Sequence, residues 1–154
     1  MQEIRVNGLD QIVQRLNASP AVLREARAAA LEDAGAELLD IVRGRIGGTG
    51  RIQGVQAVYI GSGKGYVAVR VKAETYVTAA NGKQYAAGAV TNAVESGHRQ
   101  TPGRYVPAIG ARLRRDRVPG KYMYQMSKPD AGRLAQEVSE RIAQEIVQRL
   151  EEGP

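Results

Sequence analysis

Apolar and polar positions near the N-terminus follow two short patterns. Residues Ile4–Val6 alternate between apolar and polar, which predicts a short edge strand. The next stretch, from Leu9 or Asp10 to Leu16, places Ile12, Val13 and Leu16 on one helical face. This spacing predicts a short first helix.

A second, longer helix is predicted from Ala21 to about Val42. Ser19 and Pro20 precede it, and this pair is a common helix start because serine caps free amides and proline suits the first turn. The segment is rich in alanine, leucine, glutamate and arginine, and glycines follow it. The residues predicted to form its apolar stripe are Leu23, Leu31, Leu38, Leu39 and Val42.

The C-terminal segment has the clearest amphipathic pattern. Ser127 is a candidate helix cap, and Pro129 falls in the first turn of the helix that would follow. Apolar residues then recur at steps of four, with glutamate and glutamine between them. These residues are Leu134, Val138, Ile142, Ile146 and Leu150.

Strand-like runs occupy the middle of the chain. Val55–Ile60 and Tyr66–Val71 flank a glycine-rich connection, which predicts one hairpin. Tyr76–Thr78 and Lys83–Tyr85 flank Asn81-Gly82, which predicts a second hairpin with a tight turn. The run that follows, from residue 90 to residue 95, suits either a short helix or a turn.

Together these elements predict a single α+β domain over residues 1–154. In it, the long N-terminal helix and the amphipathic C-terminal helix pack on a small antiparallel β-meander, with an extended basic loop at 98–119. A chain of 154 residues can bury about two-thirds of its unfolded surface, so a core is feasible. The sequence has no Phe, Trp or Cys, so aliphatic residues and some of the seven Tyr must fill that core. Because buried tyrosine needs a hydrogen-bond partner, we expect several rings at margins or interfaces.

Composition also excludes several chemistries. Without cysteine there is no disulfide, thiolate zinc site or cysteine nucleophile. No run approaches the ~20 apolar residues of a membrane span, and no segment resembles a signal peptide, so we expect a soluble protein made in the cytoplasm.

The net charge of +6 is concentrated in one segment. From His98 to Lys121 the only acidic residue is Asp116, and the rest of the chain carries 15 basic and 15 acidic residues. A loop of this length in a compact domain is usually functional or disordered. The candidate partner or DNA contacts are Arg99, Arg104, Arg112, Arg114, Arg115, Arg117 and Lys121.

The residues of this loop leave its partner open. Arginine binds both phosphates and carboxylates through paired N–H groups, so nucleic acid and an acidic protein face are both chemically suitable. Tyr105 is the only aromatic residue in the loop, which gives little support for base stacking. A solvated loop without a partner is the third interpretation.

Two motifs resemble catalytic or cofactor sites only superficially. Gly61–Gly65 lacks the helix that a phosphate-binding loop requires after its lysine, so a hairpin connection is the better interpretation. Glu95 and His98 could form an acid–base pair, but no nucleophile or oxyanion signature accompanies them. A structural hydrogen-bonding role is favoured for both residues, and we expect no active site, cofactor or metal.

Five features in order carry a family resemblance: Gly8–Asp10, the helix after Pro20, Val94–Arg99, Val118–Met123 and the helix after Ser127. The chain resembles the tail-component or neck-protein family of long-tailed bacteriophages. This family shows a Val-Glu-x-Gly-His-Arg type motif and a Val-Pro-Gly type motif around a variable loop. The chain departs from the family after the long helix, at 48–52, and in the arginine content of its loop. The structural motif residues are Glu95, Gly97, His98, Pro119 and Gly120.

The resemblance implies a non-enzymatic virion subunit at the head–tail junction, made in the host cytoplasm. Such a neck or tail-completion protein forms a ring, of about six or twelve subunits, between portal or head-completion proteins and the tail. Its partners would be other connector and tail proteins, with contact to packaged DNA and none to membrane. The alternative is a nucleic-acid-binding protein that uses the arginine-rich loop, and a hydrolase using Glu95 and His98 is a weaker third hypothesis.

Overall fold

The computed structural model describes residues 20–47, 50–61, 65–79, 81–107 and 110–152. The predicted strand at Ile4–Val6, the first helix and the Gly8–Asp10 motif lie outside the described residues. The elements, in chain order, are α1 (Pro20–Ile46), α2 (Gly50–Gly54), β1 (Gln56–Ile60), β2 (Val67–Val71), β3 (Tyr76–Thr78), β4 (Gln84–Ala86), α3 (Ala87–Ser96), β5 (Gly97–Arg99), β6 (Tyr105–Val106), β7 (Ala111–Arg112), β8 (Arg117–Pro119), α4 (Met123–Met126) and α5 (Lys128–Glu152).

Helix α1 confirms the predicted long helix and extends it to Ile46. Gly35 lies directly against the first hairpin, because a Cβ there would be 2.7 Å from methyl groups of both Val58 and Val67. Leu23 and Leu39, which belong to the predicted stripe, are only half-buried. The other three predicted residues, Leu31, Leu38 and Val42, are buried, and Ala30, Ala34 and Ile46 complete the face of α1 that meets the core.

Helix α5 confirms the predicted amphipathic C-terminal helix and packs antiparallel to α1. Its Leu134 is buried in a cluster with Ala34 and Leu38. Exposed ion pairs follow the same seam, with Arg133 2.7 Å from Glu37 and Arg141 2.8 Å from Asp33. Exposed pairs of this kind contribute little to stability, so burial of the apolar seam holds the two helices together.

Both predicted hairpins are confirmed. Strand β1 pairs antiparallel with β2, and β3 pairs antiparallel with β4. In place of one meander, the described strands form four separate two-stranded sheets. Helix α3 packs against β2, β3, β4 and β5, so a helix, and not a continuous hydrogen-bonded ladder, connects the hairpins.

The core is small and aliphatic, as the composition indicates. A second cluster joins Val42, Ile46, Ile52 and Met123, all nearly inaccessible to solvent. Five tyrosines lie at the surface, as expected for residues that carry a hydroxyl: Tyr66, Tyr76, Tyr85, Tyr105 and Tyr122. Among the described residues, no helix combines the length and the apolar character that a bilayer crossing requires.

Candidate partner-contact arm

Residues 97–107 and 110–120 form an arm with two short antiparallel strand pairs, where the sequence predicts a long loop. Strand β5 pairs with β8, which sets Arg99 directly opposite Arg117. Farther out, β6 pairs with β7, which sets Tyr105 opposite Arg112. The paired strands are distant in sequence, and the segment that contains them includes prolines and glycines. No local sequence pattern therefore predicts the pairing.

A bulge separates the two halves of the arm. The Gly103 amide donates to the Leu113 carbonyl at 2.8 Å, and the Leu113 amide donates to the Arg104 carbonyl at 2.9 Å. Gly103 and Arg104 therefore both lie opposite Leu113. Gly103 has a φ of 76°, a left-handed conformation that glycine adopts without strain. The extra residue shifts the register by one between the β5–β8 pair and the β6–β7 pair.

The base of the arm is a close crossing of two backbones. A Cβ on Gly97 would lie 2.4 Å from the Val118 carbonyl oxygen, and a Cβ on Gly120 would lie 2.3 Å from the Glu95 carbonyl oxygen. Pro119 is the ladder partner of Gly97. The two glycines that the sequence marks as motif residues thus provide the space in which the arm joins the body.

Glu95 fixes the same junction with its side chain. Its carboxylate accepts the Tyr124 amide at 3.0 Å and the Gln125 amide at 3.2 Å, one on each oxygen. Glu95 thereby caps the start of α4, where free amides carry partial positive charge. His98 is exposed on β5. Because backbone amides occupy both Glu95 oxygens, the geometry favours a structural role for this residue over acid–base chemistry.

Lys121 has a different role from the arm arginines with which the sequence grouped it. Its ammonium donates to the carbonyl oxygens of Ile46 and, at 3.0 Å, Gly47. These carbonyls end α1, where unpaired acceptors and the helix dipole favour a cation. Lys121 therefore ties the arm base to α1, and its contact with a partner stays a prediction.

A buried polar cluster lies beneath the arm base. The Tyr124 hydroxyl donates to the side-chain oxygen of fully buried Gln56, whose amide group donates to the Ile52 carbonyl at 3.1 Å and to Thr91 Oγ1 at 3.4 Å. Burial, with a further effect of the Glu95 charge, raises the pKa of Tyr124. No sequence signal identified Gln56, since a glutamine at the start of a strand is ordinarily exposed.

The six arginines of the arm are all exposed. Arg112 donates to the Gly103 carbonyl at 2.8 Å and braces the bulge. No arginine of the arm forms an ion pair with another described residue, whereas arginines of α1 and α5 do. Like charges in directly opposite positions repel, so the Arg99–Arg117 pair is unfavourable without an anion beside it.

Elsewhere the described surface has a groove between α1, α5 and the start of β2. It has a volume of about 570 Å³ and a mostly apolar lining. Over the described ranges, no group of three or more His, Asp or Glu side chains is placed to hold a metal ion.

Comparison of the chain with models of protein families, with curated proteins and with solved structures found no match.

Proposed function

We propose that the chain is a structural subunit of a bacteriophage head–tail connector. As a neck or tail-completion protein, it forms an oligomeric ring between the portal or head-completion proteins and the tail. The observation that carries this proposal is the arm. Its described residues form a preformed ribbon, anchored at its base by the contacts given above and carrying six exposed arginines, which is how an element that reaches a neighbouring component is built.

The anchoring contacts support the proposal because they hold the arm base in one geometry, in addition to capping the ends of α1 and α4. Gly97, Gly120, Glu95 and Lys121 all fix how the arm leaves the frame of α1, α3 and α4. The outer strands β6 and β7 pair chiefly with each other. A loop with no partner would not need such a constrained base.

The family resemblance supplies the phage context. The residues of its two motifs, Val94–Arg99 and Val118–Met123, are those that meet at the arm base. The body also leaves apolar surface for neighbouring subunits, including the groove between α1 and α5 and the exposed Val147. Subunits packed in a ring would cover such surface, which compensates for the small core.

The decisive experiment shortens the arm in the genome that encodes the chain. In this variant, residues 100–116 are replaced by Asn-Gly, so that Arg99 and Arg117 join through a tight turn and the body is kept. We expect heads and tails to accumulate unjoined in electron micrographs. The matched control, Arg24→Gln, changes an exposed residue of α1 and should give complete particles.

Ring formation is tested on the purified full chain by mass photometry and negative-stain microscopy. We expect closed rings, either alone or on purified portal complexes. A chain that stays monomeric under both conditions and is absent from purified virions contradicts the proposal.

The second candidate is a nucleic-acid-binding protein without a connector role. The exposed arginines without ion-pair partners favour it. It is distinguished by assembly, since it predicts a chain that binds nucleic acid but forms no ring and is dispensable for joining heads to tails.

A further inference from the structure

Arg99 and Arg117 form an exposed facing pair at the base of the arm. Neither has an acidic partner among the described residues. A phosphate group between them would relieve their repulsion, because guanidinium groups bind phosphate oxygens through paired N–H donors. The two arginines therefore form a site in which one anion would contact both guanidinium groups.

Further arginines continue this charge outward. Arg104, Arg114 and Arg115 are exposed, and their guanidinium groups donate to no other described residue. Arg112 differs, because it is engaged with Gly103. Several exposed guanidinium groups without an acidic partner among the described residues match a series of phosphates better than a single acidic side chain.

The width of the arm fits a duplex groove. Its paired strands are short, with Gly97–Arg99 at the base and Tyr105–Val106 farther out, and a turn at 102–103 lies between them. A two-stranded ribbon is narrow enough for the major groove, which is about 12 Å wide. Phosphates line both walls of that groove.

The described residues of the arm form no apolar centre of the kind that a protein interface usually has. Such interfaces exclude charge from their core and are enriched there in aromatic and apolar residues. Within residues 97–107 and 110–120, Tyr105 is the single large hydrophobic residue that is exposed, at 53%, while Val106, Leu113 and Val118 are half-buried. An acidic protein face is therefore the less suitable partner.

We infer that the arm binds the phosphate backbone of duplex DNA, with Arg99 and Arg117 as its principal phosphate contact. The inference rests on the proposed function, because it takes the arm to be the partner-facing element of a subunit that meets DNA. Binding is independent of base sequence, since the contacts are to phosphates.

The test measures binding of the full chain to a labelled duplex of random sequence by fluorescence anisotropy over a salt series. The variant is Arg99→Gln with Arg117→Gln. The matched control is Lys72→Gln with Lys83→Gln, which removes equal charge from exposed residues of the body that lie outside both the arm and the groove between α1 and α5.

We expect the arm variant to bind roughly tenfold more weakly or worse at low salt, and the slope of log affinity against log salt to fall by about two. The control variant should keep the wild-type slope. Absence of wild-type duplex binding at low salt would overturn the inference, as would equal losses in both variants. Tighter binding to poly-glutamate than to duplex would overturn it in favour of an acidic protein partner.

Mass photometry of the same samples separates this inference from the proposed function. Rings that do not bind duplex overturn the inference and leave the connector proposal standing. Duplex binding through the arm by a chain that never assembles supports the inference and contradicts the connector.

Discussion

Gly97 and Gly120 approach each other so closely that neither position has room for a side chain. A Cβ on Gly97 would lie 2.7 Å from the backbone nitrogen of Gly120, and a Cβ on Gly120 would lie 2.8 Å from that of Gly97. Gly97 also has a φ of 75° and a ψ of 174°, a region that essentially only glycine adopts. The arm leaves the body through this crossing, and its direction depends on both residues.

Alanine at Gly97 should therefore destabilise the fold. We expect Gly97→Ala to lower the free energy of unfolding by about 3 kcal/mol, because backbone strain alone costs about 1–3 kcal/mol and the clash adds to it. Urea denaturation followed by circular dichroism measures the change. Gly132→Ala is the control, since α5 leaves open space there, and it should be neutral or stabilising by up to about 1 kcal/mol. Equal stability of both variants would contradict the role of the crossing.

Removing the charge of Glu95 should weaken the start of α4. In Glu95→Gln the amide nitrogen would face a backbone N–H in place of an acceptor, so we expect a loss of about 1 kcal/mol. Thermal unfolding of this variant beside Glu140→Gln, an exposed position on α5, gives the comparison. If the two variants unfold alike, Glu95 does not cap α4 as described.

Replacing Lys121 should affect stability and not DNA binding. Lys121→Met removes the cation at the end of α1, so we expect a loss of about 0.5–1 kcal/mol. The salt dependence of duplex binding should stay at the wild-type value, because the ammonium is engaged with carbonyl groups. Lys128→Met, at an exposed position, serves as the control for a lost charge. A reduced salt slope in Lys121→Met alone would return Lys121 to the partner contacts.

The raised pKa of Tyr124 predicts a loss of stability in alkaline solution. Burial keeps the hydroxyl protonated in the folded chain, while in the unfolded chain it ionises near pH 10. Above that pH the folded state binds more protons than the unfolded state, so the free energy of unfolding falls as pH rises. Tyr124→Phe removes this contribution, and its stability should depend less steeply on pH than that of the wild type.

That comparison uses chemical denaturation at several pH values from 8 upward. Tyr124→Phe will be less stable near neutrality, because the buried Gln56 oxygen loses its donor. The informative quantity is the slope above pH 10, and parallel slopes for the two proteins would show that Tyr124 ionises equally in both states. Tyr76→Phe, at an exposed ring, controls for the loss of a phenol.

The sequence by itself determined the elements that local patterns specify. Helical periodicity identified α1 and α5, and two turns flanked by apolar runs identified the hairpins, because these signals act over a few residues. The basic segment was located by counting charges along the chain, which likewise needs no knowledge of the fold. The buried leucines of α1 were harder to predict, because periodicity alone does not show which side of an apolar helix face other elements will cover. Leu23 and Leu39, both predicted in the apolar stripe, are only half-buried.

Only the tertiary structure decided how the distant residues meet. Arg99 lies opposite Arg117 because β5 pairs with β8, and these strands are separated by a long connecting segment. Local sequence patterns do not specify such a pairing. Lys121 meets the end of α1, and Gln56 becomes buried between Tyr124 and Thr91, only after the helices pack. Backbone crossings and buried polar contacts depend on which residues lie close together in three dimensions. The sequence located the arm by its charge, but the strand pairing of the arm and the contacts at its base are set by the tertiary structure.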